Sequence, residues 1–510
     1  MQRPSPDRRP AALTSNLSQT FVLVTVGAYL LVLLLLGALA SRRVSDAADF
    51  IVAGRRLGIG FCTFTLFATW FGGGTLIGAA GASYAGGLSA VVADPFGAAL
   101  CLLLAGAFYV RLLRRLRLLT VPDFFRRRFG RAAEILAAAA IIPAYIGWVG
   151  SQLVAVGTVL TAVADVPFVT SVVVAAVIIV VYTVLGGMWG VTFTDFFQAV
   201  VLITAIAVLL PIVLTAAGGA GTVAAALPEG RLRFAPTGGL LEWMFFVQAW
   251  LLIGLGNLPG QDLMQRALSS RSERVAQWSA YLGGSLYLFV GLIPVALGMI
   301  GSVLLPGLAN PEEIVPRLVL SYLPPVGVAL FLGALFSALM SSADSGLLAP
   351  ASVFGQNIIG NLRPGLTPGQ QLLVVRGGVV VFCALALAVG LWSGSVYTLM
   401  VESWTVMMVG LFGPLTLGMY WKRANAPGAV AGMAAGLGSW LLLLAAGPVL
   451  GVLTPGALPE LPNALLATPV SLVVTVVVSV GTQGSHPPRR LTDVEGRPIA
   501  DRDRLGTLPL

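Results

Sequence analysis

Phe71-Gly72-Gly73-Gly74-Thr75 interrupts the middle of an apolar run at 59–82, and Gly254-Leu255-Gly256-Asn257-Leu258-Pro259-Gly260 interrupts another at 240–263, towards one end. Glycine costs a helix interior about 1 kcal/mol and proline about 3 kcal/mol relative to alanine, so neither run reads as one straight helix. In hydrocarbon, unwound backbone persists only where protein or a water-filled cavity satisfies its polar groups. Two interrupted spans at corresponding places are the mark of a transporter built from two repeats, with its central site between the breaks. Close helix packing on glycine accounts for either cluster alone, but less well for two in register.

Working outward, thirteen apolar stretches are long enough to cross a bilayer: roughly 20–40, 59–82, 87–110, 132–162, 167–186, 194–216, 240–263, 277–303, 325–358, 370–391, 395–420, 427–447 and 464–482. Of the 510 residues, 57% are hydrophobic and 10% charged, less than half the charge of a soluble domain. The expected fold is an all-α integral membrane protein of about 13 transmembrane helices. Spans two to six (59–216) and seven to eleven (240–420) form two halves of five, and an odd number of spans per half inverts one half relative to the other. The first stretch ends in Ala38-Leu39-Ala40, which mimics a signal-peptide cleavage site. Its apolar run is too long for such a peptide and Arg42-Arg43 follows at once, so it reads as a span.

Basic residues orient the chain. With the N-terminal segment 1–19 outside, 24 of the 30 Lys and Arg fall in the inner loops and 6 in the outer ones. The transmembrane region is then 20–482, in a plasma or inner membrane. The tail 483–510, rich in Arg, Asp, Gly and Pro, reads as disordered and cytoplasmic. Cys62, Cys101 and Cys383 have no metal-ligand spacing. His486, the single histidine, lies in the tail, which excludes histidine catalysis or proton relay within the membrane.

The ninth span contains Ala338-Leu339-Met340-Ser341-Ser342-Ala343-Asp344-Ser345. Sodium, a hard cation, wants oxygen ligands. Neighbouring hydroxyls facing the unwound carbonyls of another helix would supply them; serines that bond back to their own helix are the alternative. With so little charge in the spans, sodium is expected on carbonyls and hydroxyls, and the solute on aromatics and amides.

Several motifs occur in order: Asp49-Phe50-Ile51-Val52-Ala53-Gly54-Arg55-Arg56, Val121-Pro122-Asp123-Phe124-Phe125, Tyr182-Thr183-Val184-Leu185-Gly186-Gly187-Met188-Trp189, Thr194-Asp195-Phe196-Phe197-Gln198, and the ninth-span serines. On these motifs the chain resembles the sodium/solute symporter family over roughly 45–425. That family has the inverted-repeat fold first seen in a bacterial leucine transporter. The resemblance implies a sodium site from the carbonyls of Ala68, Phe71 and Ala338 and the hydroxyls of Ser341 and Ser342, with Asp195 on the sodium exit path. Thr194-Asp195 also reads as a helix N-cap.

Within the family the chain is most similar to the choline-transporter branch, through Ala68-Thr69-Trp70 with its triple glycine and Gln265-Arg266-Ala267-Leu268-Ser269-Ser270. That branch implies an aromatic cage for a quaternary ammonium, in keeping with cation–π attraction. Trp70, Tyr84 and Trp148 match cage positions, whereas Gly260 and Met400 stand where the branch carries tryptophan. Thr75, Gln152, Gln248, Gln261 and Glu402 are the candidate polar partners.

The function implied is sodium-coupled import of a small organic solute by alternating access: a quaternary ammonium or other amine, or instead an amino acid or carboxylate. The rival from another class is a non-transporting membrane sensor that retains the fold. Nucleic acid is not an expected partner. An enzyme is disfavoured: there is one lysine, Lys422, and Gly72-Gly73-Gly74-Thr75 lacks the lysine of a phosphate loop.

Overall fold

The computed structural model describes residues 24, 27, 31, 35, 47–164, 166–453, 461–493, 496 and 499. Its body is a bundle of helices, here numbered in chain order. The first interrupted run becomes α1 (Ile59–Trp70) and α2 (Gly74–Gly86), bent by 52° at the glycines. Next come α3 (Leu88–Arg115), the short α4 (Val121–Phe129), α5 (Arg131–Val163), α6 (Phe168–Leu185) and α7 (Gly187–Ala216). The second half opens with α8 (Leu240–Gly254) and α9 (Gln261–Ser269), which flank the second break. Then follow α10 (Glu273–Leu304), α11 (Pro325–Leu362), α12 (Pro368–Ser393), α13 (Val396–Tyr420), α14 (Ala426–Ala446) and α15 (Asn463–Gly481).

Among the described residues, ten helices are long and apolar enough to cross a bilayer, eleven with the bent pair taken as one span. The expected seventh span is shorter, because α8 has only 15 residues before the break. The expected first span lies outside the described residues apart from four isolated positions. Large apolar side chains stand exposed on the outer surface, among them Trp392, Leu442, Phe197 and Val177. A bilayer solvates such a surface; water would not.

Sequence chemistry explains the breaks. Phe71 leaves the helical region (φ −81°, ψ 63°) and closes α1 through its N–H to the Phe67 carbonyl, 2.9 Å. A Cβ on Gly72 would lie 2.1 Å from Ser342 Oγ and 2.7 Å from Gln152 Oε1, so only glycine lets α11 and α5 approach. Gly187 separates α6 from α7 at φ 52°, and a Cβ there would strike the Phe50 ring at 2.4 Å. Helix α7 therefore starts near Gly187, and Asp195 sits two turns inside it; the N-cap role is corrected.

At the basic-loop end the two broken runs are tied together. Leu57 N–H donates to the Ser269 carbonyl (3.0 Å), and Arg271 N–H donates to the Leu57 carbonyl (2.9 Å). Part of the polar tail is held as well: the Asn425 amide donates to the His486 carbonyl at 2.9 Å, and Leu491 is buried.

Candidate functional site

Helix α11 is the most enclosed span among the described residues, and it packs against α7, α5, α12 and α1. Its serines therefore face protein. Ser342 Oγ donates to the Ala68 carbonyl at 3.4 Å, across from α11 to the last turn of α1. The final carbonyls of a helix lack intrahelical donors, so this turn offers oxygens to a hydroxyl or a cation. Ala338 precedes Ser341 and Ser342 by three and four residues and so shares their helix face. Phe71 ends α1 at the same place.

Ser341 Oγ donates to Asp195 Oδ1, and Thr65 Oγ1 donates to Asp195 Oδ2. A carboxylate thus sits in direct contact with the serine pair. Behind it, the fully buried Arg266 guanidinium donates to the carbonyls of Asp262 (2.9 Å) and Thr65 (3.3 Å) and to Ser345 Oγ. Ser345 Oγ in turn donates to Asp344 Oδ1 at 3.1 Å. Asp344 Oδ2 is buried and has no hydrogen-bond partner.

A second cluster adjoins the first through Arg266, at the last residue of α1. Trp70 Nε1 donates to Asp262 Oδ2 at 2.5 Å, and the Tyr145 hydroxyl donates to Asp262 Oδ1. The Asp262 N–H donates back to the Tyr145 oxygen at 2.9 Å. Around this carboxylate the rings pack edge to face or tilted: Tyr145 and Trp148 at 5.8 Å, Tyr145 and Trp404 at 5.7 Å, Trp148 and Trp404 at 5.3 Å. Trp148 also lies against α11, where a Cβ on Gly346 would come within 3.2 Å of its ring. Thr75 Oγ1 and the Tyr287 hydroxyl donate to the two oxygens of buried Asp94, at 2.7 and 2.8 Å.

The break itself is lined by amides. Gln152 Oε1 accepts from Gly73 N–H at 2.8 Å, and the Met400 thioether fills the space where a Gly74 side chain would stand. Asn257, in the second break, is buried with neither amide atom hydrogen-bonded.

The structure therefore brings together Ala68, Ser342, Ser341 and Asp195 and, joined to them through Arg266, Trp70 with its Asp262 partner; Trp148, Gln152, Thr75 and Met400 line the neighbouring elements. Two expected solute residues lie elsewhere. Tyr84 donates to the Leu305 carbonyl (2.7 Å) and accepts from Leu308 N–H (3.1 Å). Gln261 accepts from Val121 N–H (2.7 Å) and donates to the Leu119 carbonyl (3.3 Å). Gln248 accepts from Leu465 N–H at 3.0 Å, and Glu402 is exposed.

To the scarce buried charge expected, Asp195 and Asp344, the structure adds Asp94 and Asp262, with Arg266 buried among them. Asp94 and Asp262 are the residues sequence reasoning missed. Each is an ionisable residue inside an apolar run, which is by itself a signal of function. Trp404 and Tyr145 carried no such signal, because an aromatic in a span is ordinarily core.

Comparison with known proteins agrees with this architecture. Residues 50–436 match the model of the Sodium:solute symporter family. Human high affinity choline transporter 1 is 31% identical over 442 residues, covering 81% of this chain and 75% of its own. The sodium/pantothenate symporter of Escherichia coli is 26% identical over 432 residues, covering 82% and 89%. Among solved structures, a Na+-coupled sialic acid symporter in a substrate-bound outward-open state superposes with a TM-score of 0.76 at 20% identity, over 90% of this chain and 97% of that one. Broken helices around buried serines, an inverted-repeat fold and a family match over most of the length lead to one conclusion: the chain is a member of the sodium:solute symporter family, a membrane protein that couples sodium to the movement of a small organic solute.

Proposed function

We propose that the solute is a small cation bearing an amine or quaternary ammonium, imported with sodium by alternating access. The observation that carries this reading is Asp262: a buried carboxylate held by the Trp70 indole and the Tyr145 phenol, beside Trp148 and Trp404. A carboxylate in a low-dielectric site attracts a positive charge strongly, and aromatic faces add cation–π attraction. The likeness to choline transporters supports the same class. Asp262 supplies charge where the cage lacks two of the expected tryptophans, at Gly260 and Met400.

Sodium binds between the Ala68 and Phe71 carbonyls of α1 and the Ala338 carbonyl and Ser341 and Ser342 hydroxyls of α11, with Asp195 poised to receive it on the exit path. Bound there, sodium draws the end of α1 towards α11 and orders the glycine break that carries Trp70. The two ligands then raise each other's affinity reciprocally. The N-terminal side faces outward and the basic loops face the cytoplasm, as the distribution of Lys and Arg supports.

The test is uptake into proteoliposomes, with and without an inward sodium gradient, of labelled choline, a betaine, a neutral amino acid and a short carboxylate. Sodium-dependent uptake of the cations is expected. Uptake confined to the amino acid or the carboxylate would overturn the cation assignment while leaving sodium coupling intact.

A further inference from the structure

A cavity of about 760 Å³ lies at the basic-loop end, apart from both clusters above. Its lining carries six arginines, Arg55, Arg117, Arg126, Arg127, Arg131 and Arg489, against a single aspartate, Asp123. They come from five separate pieces of chain: the segment before α1, the loop before α4, α4 itself, the start of α5 and the tail beyond α15.

Among the described residues, little answers this charge. Arg55 donates to the carbonyls of Leu118 (3.1 Å) and Arg117 (2.9 Å), and Arg127 to that of Leu116 (2.9 Å). Arg126 donates to the Asn361 side-chain oxygen at 2.5 Å, and Arg131 to the Asn361 carbonyl at 3.4 Å. Arg489 reaches the Arg126 carbonyl at 3.5 Å. Asp123 offsets part of the Arg55 charge, while its oxygens accept from Leu119 N–H, Thr120 N–H and the Asn357 amide. Glu134, 3.7 Å from Arg126, is its ion-pair partner among the described residues, and the Glu134 carboxylate also accepts from Asn357.

The backbone is held in unusual shapes to keep the cluster. Arg55 and Arg117 stand at φ 60° and 46°, a region side-chain-bearing residues rarely adopt, and such strain persists where function demands it. Gly130, at φ 99°, lets the Arg489 guanidinium come within 3.2 Å of where a Cβ would be. Burial, and then the neighbouring Arg114 and Arg117, pull the Arg55 guanidinium down to about 10.

From this geometry we infer that the cavity is a binding site for a phosphate-bearing anion. Guanidinium forks match phosphate oxygens in pairs, and a phosphate would neutralise a cluster the described residues leave largely unanswered. Two sources share that chemistry: the headgroup of an anionic phospholipid, drawn to basic residues at the membrane surface, and a free phosphate. Bound phosphate bridges the approach to α1, the start of α5 and, through Gln356 in the lining, the end of α11.

The experiment uses the full chain in phosphatidylcholine nanodiscs. Thermal stability is compared with and without added phosphatidylglycerol, and separately with inorganic phosphate against chloride at equal ionic strength. A rise in Tm in the lipid arm identifies a headgroup site, and a rise in the phosphate arm a soluble ligand. R126Q/R131Q should weaken the effect by about tenfold in apparent affinity for each guanidinium lost, while R126K/R131K keeps part of it. R489Q, on the tail, gives the same reading if the double variant does not fold. No rise in either arm, or an equal rise in every variant, overturns the site.

Discussion

Asp262 is where a single side chain carries most meaning. Asparagine has the same shape and still accepts from the Trp70 indole, but it carries no charge. D262N should therefore raise the KM for a quaternary ammonium solute by about tenfold or more, the usual cost of losing one charge-assisted contact, with far less effect on half-saturation by sodium. Uptake kinetics at saturating sodium measure this, and an unchanged KM would remove Asp262 from the solute site. Ser341 and Asp195 make the converse case. S341A/S342A strips one hydroxyl facing α1 and one facing Asp195, and leaves Asp195 with Thr65 as its hydrogen-bond donor among the described residues. Half-saturation by sodium should rise about ten- to hundredfold, as when a partner that orients a cation ligand is lost. Uptake that stays equally sodium-sensitive in the double variant would sink the assignment.

Between residue and molecule stands the broken helix. Gly72 and Gly74 of the first break do different jobs, so their alanine variants should differ. A Cβ at Gly72 meets Ser342 Oγ at 2.1 Å and Gln152 Oε1 at 2.7 Å, both on packed helices. G72A should cost about 1–3 kcal/mol by overpacking and abolish sodium-driven uptake, because Ser342 must move. At Gly74 the obstacle is the Met400 sulfur at 1.9 Å, the end of a flexible chain. G74A should lose stability that G74A/M400A recovers, whereas no change at Met400 rescues G72A. Tm and uptake measured on the three variants separate these outcomes. The two breaks were legible in the chain as glycine and proline where apolar periodicity runs on. The 52° bend at the first break, and which carbonyls it frees, were not, since both depend on α5 and α11 packing into the gap.

At the scale of the whole molecule, the sidedness proposed from the basic loops is directly measurable. Cys62, Cys101 and Cys383 are buried, so an introduced thiol reacts against a low background. Thr237 and Arg363 are exposed, in loops expected on opposite faces. T237C should label with an impermeant maleimide on intact cells and R363C only after lysis; the reverse pattern would invert the topology. By itself, the sequence determined the membrane class, most of the spans, the two breaks and the family, because hydrophobic length, glycine placement and ordered motifs are local properties of the chain. Only the tertiary structure decided that Asp195 meets Ser341, that Asp262 stands between Trp70 and Tyr145, and that six arginines surround one cavity. These contacts join residues far apart in the chain, where a buried charge finds its partners only once the helices have packed.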